Sequence, residues 1–242
     1  MALELALDGT VVIVTGGERG VGLGITMAFQ RAGASVVTCA RHAPERPSAE
    51  FIACDVRDPD QVDRLLGTVL QRHGRLDTVV NNAGGAPFAN AATASPRFHE
   101  KVVGLNLLAP LLVSQRANEI MQQQDHGGSI VMVSSVSATR PSPGTAAYGA
   151  AKAGLDNLTA SLAVEWAPKV RVNTLDVGMV RTERADERFS AAAAQTVPLG
   201  RLAEPDEIGC CAVFLASALA SYVSGARLLV HGGGEPPAPV YA

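Results

Sequence analysis

Tyr148 and Lys152 are the two residues whose side chains and spacing most directly suggest chemistry. They are four positions apart in a segment, 148–167, that is predicted to be helical, so the two side chains share one face. A phenol has an ordinary pKa of about 10, and a neighbouring ammonium lowers it by stabilising the phenolate. A lowering of about three units corresponds to roughly 4 kcal/mol, which a partly desolvated site can supply. The pair therefore predicts a phenol that exchanges a proton with an alcohol or carbonyl oxygen.

Two further polar residues fit the same chemistry. Ser135 follows the predicted strand 129–134, where its hydroxyl could hold a reacting oxygen and stabilise developing charge. Taken alone, a serine after a strand is usually a turn residue, and a tyrosine on a helix usually packs with a satisfied hydroxyl. Asn106 lies inside an apolar helical segment, and a buried amide is costly unless it is hydrogen-bonded.

A glycine-rich turn follows the first predicted strand, residues 10–15. Its pattern is T-G-x-x-x-G-x-G, and a helix follows it. Residues without Cβ let the backbone approach a pyrophosphate, and the positive end of the next helix favours the phosphates. Glycines also serve tight packing, but the position between strand and helix favours a dinucleotide site. The predicted contacts of this turn are Gly16, Arg19, Gly20, Val21 and Gly22.

Strands and helices alternate along the whole chain. The predicted strands are 10–15, 35–39, 51–54, 78–81, 129–134, 171–175 and 226–230, and the predicted helices between them include 59–73, 98–124, 148–167 and 205–216. The strands are almost entirely apolar, which is typical of a parallel sheet covered on both faces. The pattern predicts a doubly wound α/β fold of about seven strands, with ligands bound at the carboxyl ends of the strands.

Composition restricts the function classes. The chain has 242 residues, 47% of them hydrophobic and 18% charged, with a net charge of −3, which fits one domain over 1–242. Acidic and basic residues are interspersed, so the sequence indicates no charged surface that would bind nucleic acid or a membrane. Residues 1–7 lack the features of a signal peptide. The apolar stretch 210–226 is too short and too rich in Ala and Ser for a membrane span. The four cysteines show no metal-site spacing and are expected to be core thiols of a cytoplasmic protein.

Taken in order, these motifs resemble the short-chain dehydrogenase/reductase family, in its compact single-domain branch. The resemblance covers essentially the whole chain and includes N-N-A-G at residues 81–84, Ser135 thirteen residues before Tyr148, and the helix asparagine Asn106. It implies a Rossmann-like oxidoreductase that uses NAD(P)(H). It also implies that Asn82, Ala83 and Gly84 border the adenosine, that Lys152 binds the nicotinamide ribose, and that Asn106 holds a water for proton relay.

The choice of cofactor depends on the end of the second strand. NAD enzymes of this fold place an acid there to bind the ribose 2′-hydroxyl, whereas this chain has Ala40 followed by Arg41. Together with Arg19, Arg41 suits a 2′-phosphate, so NADP(H) is the expected cofactor. NAD(H) stays possible, because the two arginines could be ordinary surface charges and Glu45 could fold back to the ribose. The resemblance places Asp55, followed by Val56, against the adenine.

Two positions depart from the family pattern. The segment after the sixth strand usually reads Asn-x-x-x-Pro-Gly, but Val177 stands at the proline position. His231 replaces the more usual aspartate before Gly-Gly and is expected to be structural or to lie at an interface. The resemblance still implies cofactor contacts for Gly178, Val180 and Thr182.

Three loops are expected to form the substrate site, namely 85–97, 136–147 and 178–198. Their residues are mostly small or apolar, which favours a hydrophobic carbonyl or alcohol substrate. A cofactor-sensing binding protein on the same fold is one alternative. A reductase of carrier-bound acyl substrates is another, and it would need a basic docking patch, for which only Arg140 and Arg184 are candidates.

The chain is also expected to form a homo-oligomer, a tetramer or a dimer. The helical segments 101–121 and 148–166 carry more apolar residues than one sheet face needs, which is typical of an interface.

Overall fold

Seven parallel strands form one sheet in the part of the chain that the computed structural model describes, residues 5–183 and 193–234. The strand order is β3-β2-β1-β4-β5-β6-β7. The strands are β1 Val11–Thr15, β2 Ser35–Ala40, β3 Glu50–Ala53, β4 Thr78–Asn81, β5 Gly128–Ser135, β6 Val170–Val177 and β7 Arg227–Val230. The order reverses between β1 and β4, which opens a crevice at the carboxyl ends of these strands. The predicted doubly wound α/β fold is confirmed.

Helices cover both faces of the sheet. They are α1 Gly20–Arg31, α2 Pro59–His73, α3 Pro96–Val103, α4 Ala109–Gln123, α5 Ala146–Glu165 and α6 Pro205–Ala216. In β1, Val12 and Val14 pack with α1 and α6, whereas Ile13 packs with α2, α4 and α5. Because successive side chains of a strand point to opposite faces, the sheet has one apolar core on each side.

Local signals fix the ends of the helices. The Asp58 carboxylate accepts hydrogen bonds from the backbone N–H groups of Asp60 and Gln61, and Pro59 occupies the first turn of α2. The same helix ends at Gly74, whose φ of 72° is in the left-handed region. These caps explain why the predicted bounds 59–73 agree with the structure.

The predicted helix 98–124 is not continuous. A π-helical turn, Gly104–Leu108, separates α3 from α4. Pro110 follows this turn and has no N–H, so the carbonyl of Asn106 lacks its normal helical donor, and the backbone widens there. The turn buries Asn106 completely.

Strand β6 is longer than the predicted 171–175. Its register continues through Val177, which lies opposite Ser135 of β5 and Val230 of β7. A proline could not donate to this ladder, so the valine lets the strand continue to the rim of the crevice.

All four cysteines are free, and the expectation of four core thiols is wrong for two of them. Cys39 and Cys54 are buried, but Cys210 is exposed and Cys211 is half-buried. The reason is the orientation of α6, which buries the face that carries Ile208 and Ala212. Among the described residues, no helix has the length and apolar character needed to cross a membrane. Within the same residues, no group of three or more potential ligand side chains could hold a metal ion.

Candidate active site

A cleft of about 470 Å³ opens at the carboxyl ends of the central strands. Every residue predicted to contact the cofactor lines it, namely Gly16, Arg19, Gly20, Val21, Gly22, Ala40, Arg41, Asp55, Val56, Asn82, Ala83, Gly84, Tyr148, Lys152, Gly178, Val180 and Thr182. Ser135 also lines the cleft, whereas Asn106 does not. The predicted residues at the carboxyl ends of β1 to β6 therefore converge on one site.

The glycine turn has the conformation that a phosphate cradle requires. Gly16 and Gly20 have φ values of 65° and 51°, which side chains with a Cβ rarely adopt. A Cβ at Gly22 would lie 2.1 Å from the Gly16 carbonyl oxygen, so only glycine fits there. The helix α1 begins at Gly20, and its first N–H groups are at the cleft. These features fit the pyrophosphate of a dinucleotide.

The end of β4 holds this turn in place. The Asn82 side-chain amide donates to the carbonyl oxygens of Thr15 and Gly16 at 2.9 and 3.1 Å. The Thr15 hydroxyl accepts from the N–H groups of Asn82 and Ala83 at 3.0 and 2.9 Å. The N-N-A-G segment therefore joins the two central strands where the cleft begins.

Ser135 and Tyr148 meet at the other end of the cleft. Ser135 is the last residue of β5, and its Oγ accepts from the Ser137 N–H at 3.2 Å. Ser135 and Tyr148 both line the cleft here. Burial raises the pKa of Tyr148, and Ser135 lowers it by less. The expectation that Lys152 lowers this pKa is not met by the side chains alone, because burial outweighs the other effects.

Lys152 is buried one helical turn after Tyr148. Its Nζ lies 5.6 Å from the centre of the Tyr148 ring and donates to the Val133 carbonyl oxygen at 2.7 Å. Burial lowers the pKa of Lys152 to about 8, although the carboxylates of Asp156 and Asp176 act in the opposite direction. The side chain therefore stays mainly protonated near neutral pH and faces the phenol as a cation.

Asn106 lies just behind the cleft wall. Its Oδ1 accepts from the Gly85 N–H at 2.8 Å, and its Nδ2 donates to the carbonyl oxygens of Gly85 and Val102, both at 2.9 Å. A Cβ at Gly84 would be 2.7 Å from Asn106 Oδ1 and 3.4 Å from Lys152 Nζ. The amide thus fixes the loop after β4 beside Lys152, and its predicted role in holding a water stays a prediction.

Arginines dominate the opposite end of the cleft. Arg19 and Arg41 are exposed and line the cleft together with Ala40. Asp55 is held by Arg57, with Nε–Oδ1 and Nη2–Oδ2 distances of 2.9 and 2.6 Å. This pair lowers the pKa of Asp55, mainly through its hydrogen bonds to Arg57. Sequence reasoning missed Arg57 as a lining residue, and its place two positions after Asp55 was the available signal.

Glu18, the acid inside the glycine turn, is turned away from this end. Its Oε2 accepts from the Ser48 N–H at 2.9 Å and from the Ser48 hydroxyl at 3.1 Å, and its Oε1 accepts from the Thr38 hydroxyl. Glu18 thereby ties the loop 41–49 to the glycine turn. Glu45 and His42 of that loop do not line the cleft.

Comparisons with known proteins agree with this geometry. A family model described as enoyl-(acyl carrier protein) reductase matches residues 16–235. The chain is also 34% identical over 246 residues to D-threitol dehydrogenase of Mycolicibacterium smegmatis, covering 95% of this chain and 94% of that protein. The chain belongs to the short-chain dehydrogenase/reductase family.

Two further comparisons show the range of activities around this short-chain dehydrogenase/reductase. It is 32% identical over 244 residues to the 3-oxoacyl-[acyl-carrier-protein] reductase FabG of Thermotoga maritima, covering 95% and 99% of the two chains. Its fold matches ligand-free aldohexose dehydrogenase of Thermoplasma acidophilum with a TM-score of 0.90 and 29% identity, covering 98% of each chain.

This short-chain dehydrogenase/reductase is therefore an oxidoreductase that acts on CH–OH groups. It moves hydride between a nicotinamide cofactor, NAD(P)(H), and an alcohol or carbonyl carbon. The fold and the glycine turn together account for the class of cofactor.

Of the two departures from the family pattern, Val177 lines the cleft and His231 does not. Val177 pairs with Ser135 at the end of the β5–β6 ladder, and this position places it in the wall of the cleft. His231 follows β7, and its Nδ1 is buried with no hydrogen-bond partner among the described residues. Of the loop 178–198, residues 184–192 lie outside the described residues, and the candidate Arg184 is among them.

Proposed function

We propose that Ser135, Tyr148 and Lys152 carry out the proton transfer of this oxidoreductase. The observation that supports this assignment is their convergence at one end of the cleft, where all three residues line the wall and the Lys152 ammonium lies 5.6 Å from the centre of the Tyr148 ring. A bound nicotinamide ring supplies or accepts the hydride. Tyr148 donates its proton to the carbonyl oxygen during reduction and removes it from the alcohol during oxidation.

The neighbouring groups stabilise the charges that this transfer creates. The Ser135 hydroxyl donates a hydrogen bond to the reacting oxygen, and Lys152 stabilises the phenolate that Tyr148 leaves. Asn106 holds the wall behind Lys152 and is assigned the relay of protons to solvent through a water. Val180, Thr182 and Gly178 are assigned to the nicotinamide end of the cofactor.

We also propose a preference for NADP(H) over NAD(H). The support is electrostatic, because Arg19 and Arg41 line the cleft together with Ala40, and two nearby acids have other partners. Glu18 is bonded to Ser48, and Asp55 is bonded to Arg57. Each charge-assisted bond to a 2′-phosphate contributes roughly 1.5–3 kcal/mol.

The test of this preference is titration of the wild-type protein with NADPH and with NADH, followed by fluorescence. We expect NADPH to bind at least tenfold more tightly, since one charge-assisted bond corresponds to about that factor. Equal affinities, or tighter binding of NADH, would show that the two arginines act only as surface charges.

The proposed substrate is a hydrophobic ketone or secondary alcohol. The support is the apolar recess that Ala86, Pro87 and Ala89 line together with Tyr148. Phe88 of the same loop is 75% exposed, and its ring lies against Gly144. The Ala89 N–H donates to the Gly144 carbonyl oxygen at 2.8 Å, so the two substrate loops are joined. A panel of apolar ketones, sugars, polyols and β-ketoacyl thioesters, each with both cofactors, tests this assignment. Faster turnover of sugars or thioesters would contradict it.

Two alternatives have specific outcomes in the same panel. A reductase of carrier-bound acyl groups would prefer the thioesters, in line with the family model and the Thermotoga maritima relative. A cofactor-sensing protein would bind NADPH and turn over none of the compounds. The presence of both Tyr148 and Lys152 favours the enzyme, since a sensor has no use for a proton-transfer pair.

We further propose that the whole chain, 1–242, acts as one catalytic domain in a cytoplasmic homotetramer. The support is two exposed apolar areas, one with Leu108 and Val164 at 55% and 80% exposure, and one with Tyr222 and Leu229 at 102% and 53%. Free thiols agree with a reducing compartment. Light scattering at micromolar concentration tests the assembly, and a monomeric mass would contradict it.

A further inference from the structure

Two carboxylates are buried where α5 packs on β6, close to the buried Lys152 and outside the lining of the cleft. Asp156, one helical turn further along α5, is 4% exposed, and Asp176 of β6 is fully buried. Asp176 lies opposite Ser134 in the β5–β6 ladder. Neither carboxylate lines the cleft. Charged side chains are rarely buried in this way unless they are paired.

Arg227 joins the two carboxylates but does not neutralise them. Its Nη2 lies 2.5 Å from Asp176 Oδ2 and 3.0 Å from Asp156 Oδ2. Because one nitrogen contacts both acids, the two carboxylates are close together. Burial and the charge of Asp176 raise the pKa of Asp156 to about 6, and Ser134 and Arg227 only partly oppose this. One guanidinium faces two acids, so the cluster has an excess of negative charge when both acids are ionised.

This excess of negative charge favours the protonated form of Lys152. In α5, Tyr148 and Asp156 lie one helical turn before and after Lys152. Asp176 of β6 is opposite Ser134, whose hydroxyl donates to the Lys152 carbonyl oxygen at 3.3 Å. The π-helical turn contributes the uncharged Asn106. His99 of α3 lies on the far side of Tyr148. From the cleft, the other ionisable lining groups are two carboxylates, three guanidinium groups and two thiols, namely Asp55, Glu183, Arg19, Arg41, Arg57, Cys39 and Cys54. Burial lowers the pKa of Lys152, and the two groups that act against this are Asp156 and Asp176.

We propose that Asp156 and Asp176 are positioning residues that keep Lys152 protonated and thereby set the pH range in which Tyr148 transfers its proton. Arg227 fixes the geometry of the two carboxylates from the neighbouring strand. Neither acid touches the cofactor or the substrate. The inference goes beyond the proposed function, because it concerns the charge of Lys152 whichever substrate and nicotinamide cofactor the enzyme uses.

The chain offers a direct measurement of that charge. It contains three lysines, Lys101, Lys152 and Lys169, so a protein labelled with ¹³C at lysine Cε gives three resolvable signals. The Lys152 signal is assigned by its loss in Lys152→Arg, and its chemical shift is followed with pH. We expect a midpoint near 8 in the wild type. In Asp176→Asn the acid dissociation constant of Lys152 should rise by about three- to tenfold, which moves the midpoint to lower pH. Asp156→Asn should move it in the same direction.

Asp77→Asn is the matched control. Asp77 is a nearly buried acid at the amino end of the central strand β4, opposite the end that forms the cleft. It pairs with Arg75 at 2.6 Å and accepts from the Val11 N–H at 2.8 Å. Its loss removes a paired carboxylate far from Lys152, so the Lys152 midpoint should not change. An equal change in the control would assign the effect to general loosening and overturn the proposal.

A second measurement connects the charge to catalysis. Carbonyl reduction needs a protonated Tyr148 beside a charged Lys152, so its rate should fall at high pH. In Asp176→Asn this fall should move to lower pH by the same amount as the Lys152 midpoint. An unchanged midpoint in a folded Asp176→Asn protein would overturn the proposal. If that variant does not fold, an unchanged midpoint in Asp156→Asn would do so. The lysine titration needs no substrate. It therefore tests this inference even if the proposed function is wrong.

Discussion

The two ends of the cleft are built differently. At the catalytic end, Ser135, Tyr148 and Lys152 lie on a central strand and a packed helix, and Lys152 is buried. The opposite end, called the ribose end here, is where the adenosine ribose and its 2′-phosphate are proposed to bind. Its arginines, Arg19 and Arg41, are exposed on loops. Burial fixes geometry and shifts pKa values, which proton transfer requires. Exposed charges on loops need no core around them, so cofactor preference can change without any change in the catalytic groups.

The largest expected effect is at the catalytic end. Tyr148→Phe removes the proton donor, so the turnover rate should fall by about 10³-fold or more, while NADPH affinity stays nearly unchanged. Turnover and fluorescence titration of the same preparation measure the two quantities. Tyr222→Phe is the matched control, because it removes the same hydroxyl from a tyrosine that does not line the cleft. Substantial turnover by Tyr148→Phe, with the pH profile of the wild type, would show that Tyr148 is not the proton donor and that this end of the cleft is not specialised for proton transfer.

The second largest effect is at the ribose end. The double change Ala40→Asp and Arg41→Ala removes one phosphate partner and adds a carboxylate for the 2′-hydroxyl. The ratio of NADPH to NADH affinity should fall by about 10²-fold, and the turnover rate with saturating NADH should remain near that of the wild type. Calorimetric titration with both cofactors gives the ratio. An unchanged ratio would show that the ribose end lies elsewhere.

The buried Asp156 close to the catalytic end should also make the free energy of unfolding depend on pH. The pKa of Asp156 rises from 3.8 to about 6 on folding, so the native state keeps a proton that the unfolded chain has lost in this interval. The stabilisation from this group is complete below about pH 4 and is lost as the pH rises through about 6. The loss is on the order of 2 kcal/mol and should be absent in Asp156→Asn. Urea unfolding at several pH values between 4 and 6 measures the free energy of unfolding. The same change of this free energy with pH in the wild type and in Asp156→Asn would contradict the prediction.

The smallest effect concerns the tie between Glu18 and the loop 41–49. Thr38→Val is isosteric and removes the hydrogen bond to Glu18 Oε1. NADPH affinity should fall about two- to fivefold, because the loop that carries Arg41 is less firmly held, while NADH affinity stays unchanged. Thr68→Val on α2, away from the cleft, is the control. A loss shared by both cofactors would mean that Thr38 supports the whole turn rather than the ribose end.

Local signals made most of the fold predictable. Pro59 and Gly74 mark the two ends of α2, and the apolar runs of the central strands fixed the sheet. The residues of the cleft were predictable because the carboxyl ends of parallel strands meet at one edge, whatever the details of the loops. The π-helical turn was not predicted, since a single Pro110 in a helical pattern does not say how the backbone adjusts.

Long-range pairs could not be predicted from the sequence. Arg227 contacts Asp156 and Asp176 across 71 and 51 positions of the chain, and no spacing rule connects residues so far apart. The direction of the pKa shift of Tyr148 was missed for a related reason. The spacing to Lys152 showed a charge nearby, but the depth of burial, which decides the balance, is a property of the packed structure.

The central claim is that one cofactor molecule spans both ends of the cleft, with its nicotinamide at Tyr148 and Lys152 and its ribose phosphate at Arg41. Titration of wild type, Arg41→Ala and Lys152→Met with NADPH and with NADH tests it without any substrate. We predict that Arg41→Ala weakens NADPH about tenfold or more and leaves NADH unchanged, whereas Lys152→Met weakens both. Unchanged binding of both cofactors in Lys152→Met, or equal weakening of both in Arg41→Ala, would contradict the claim.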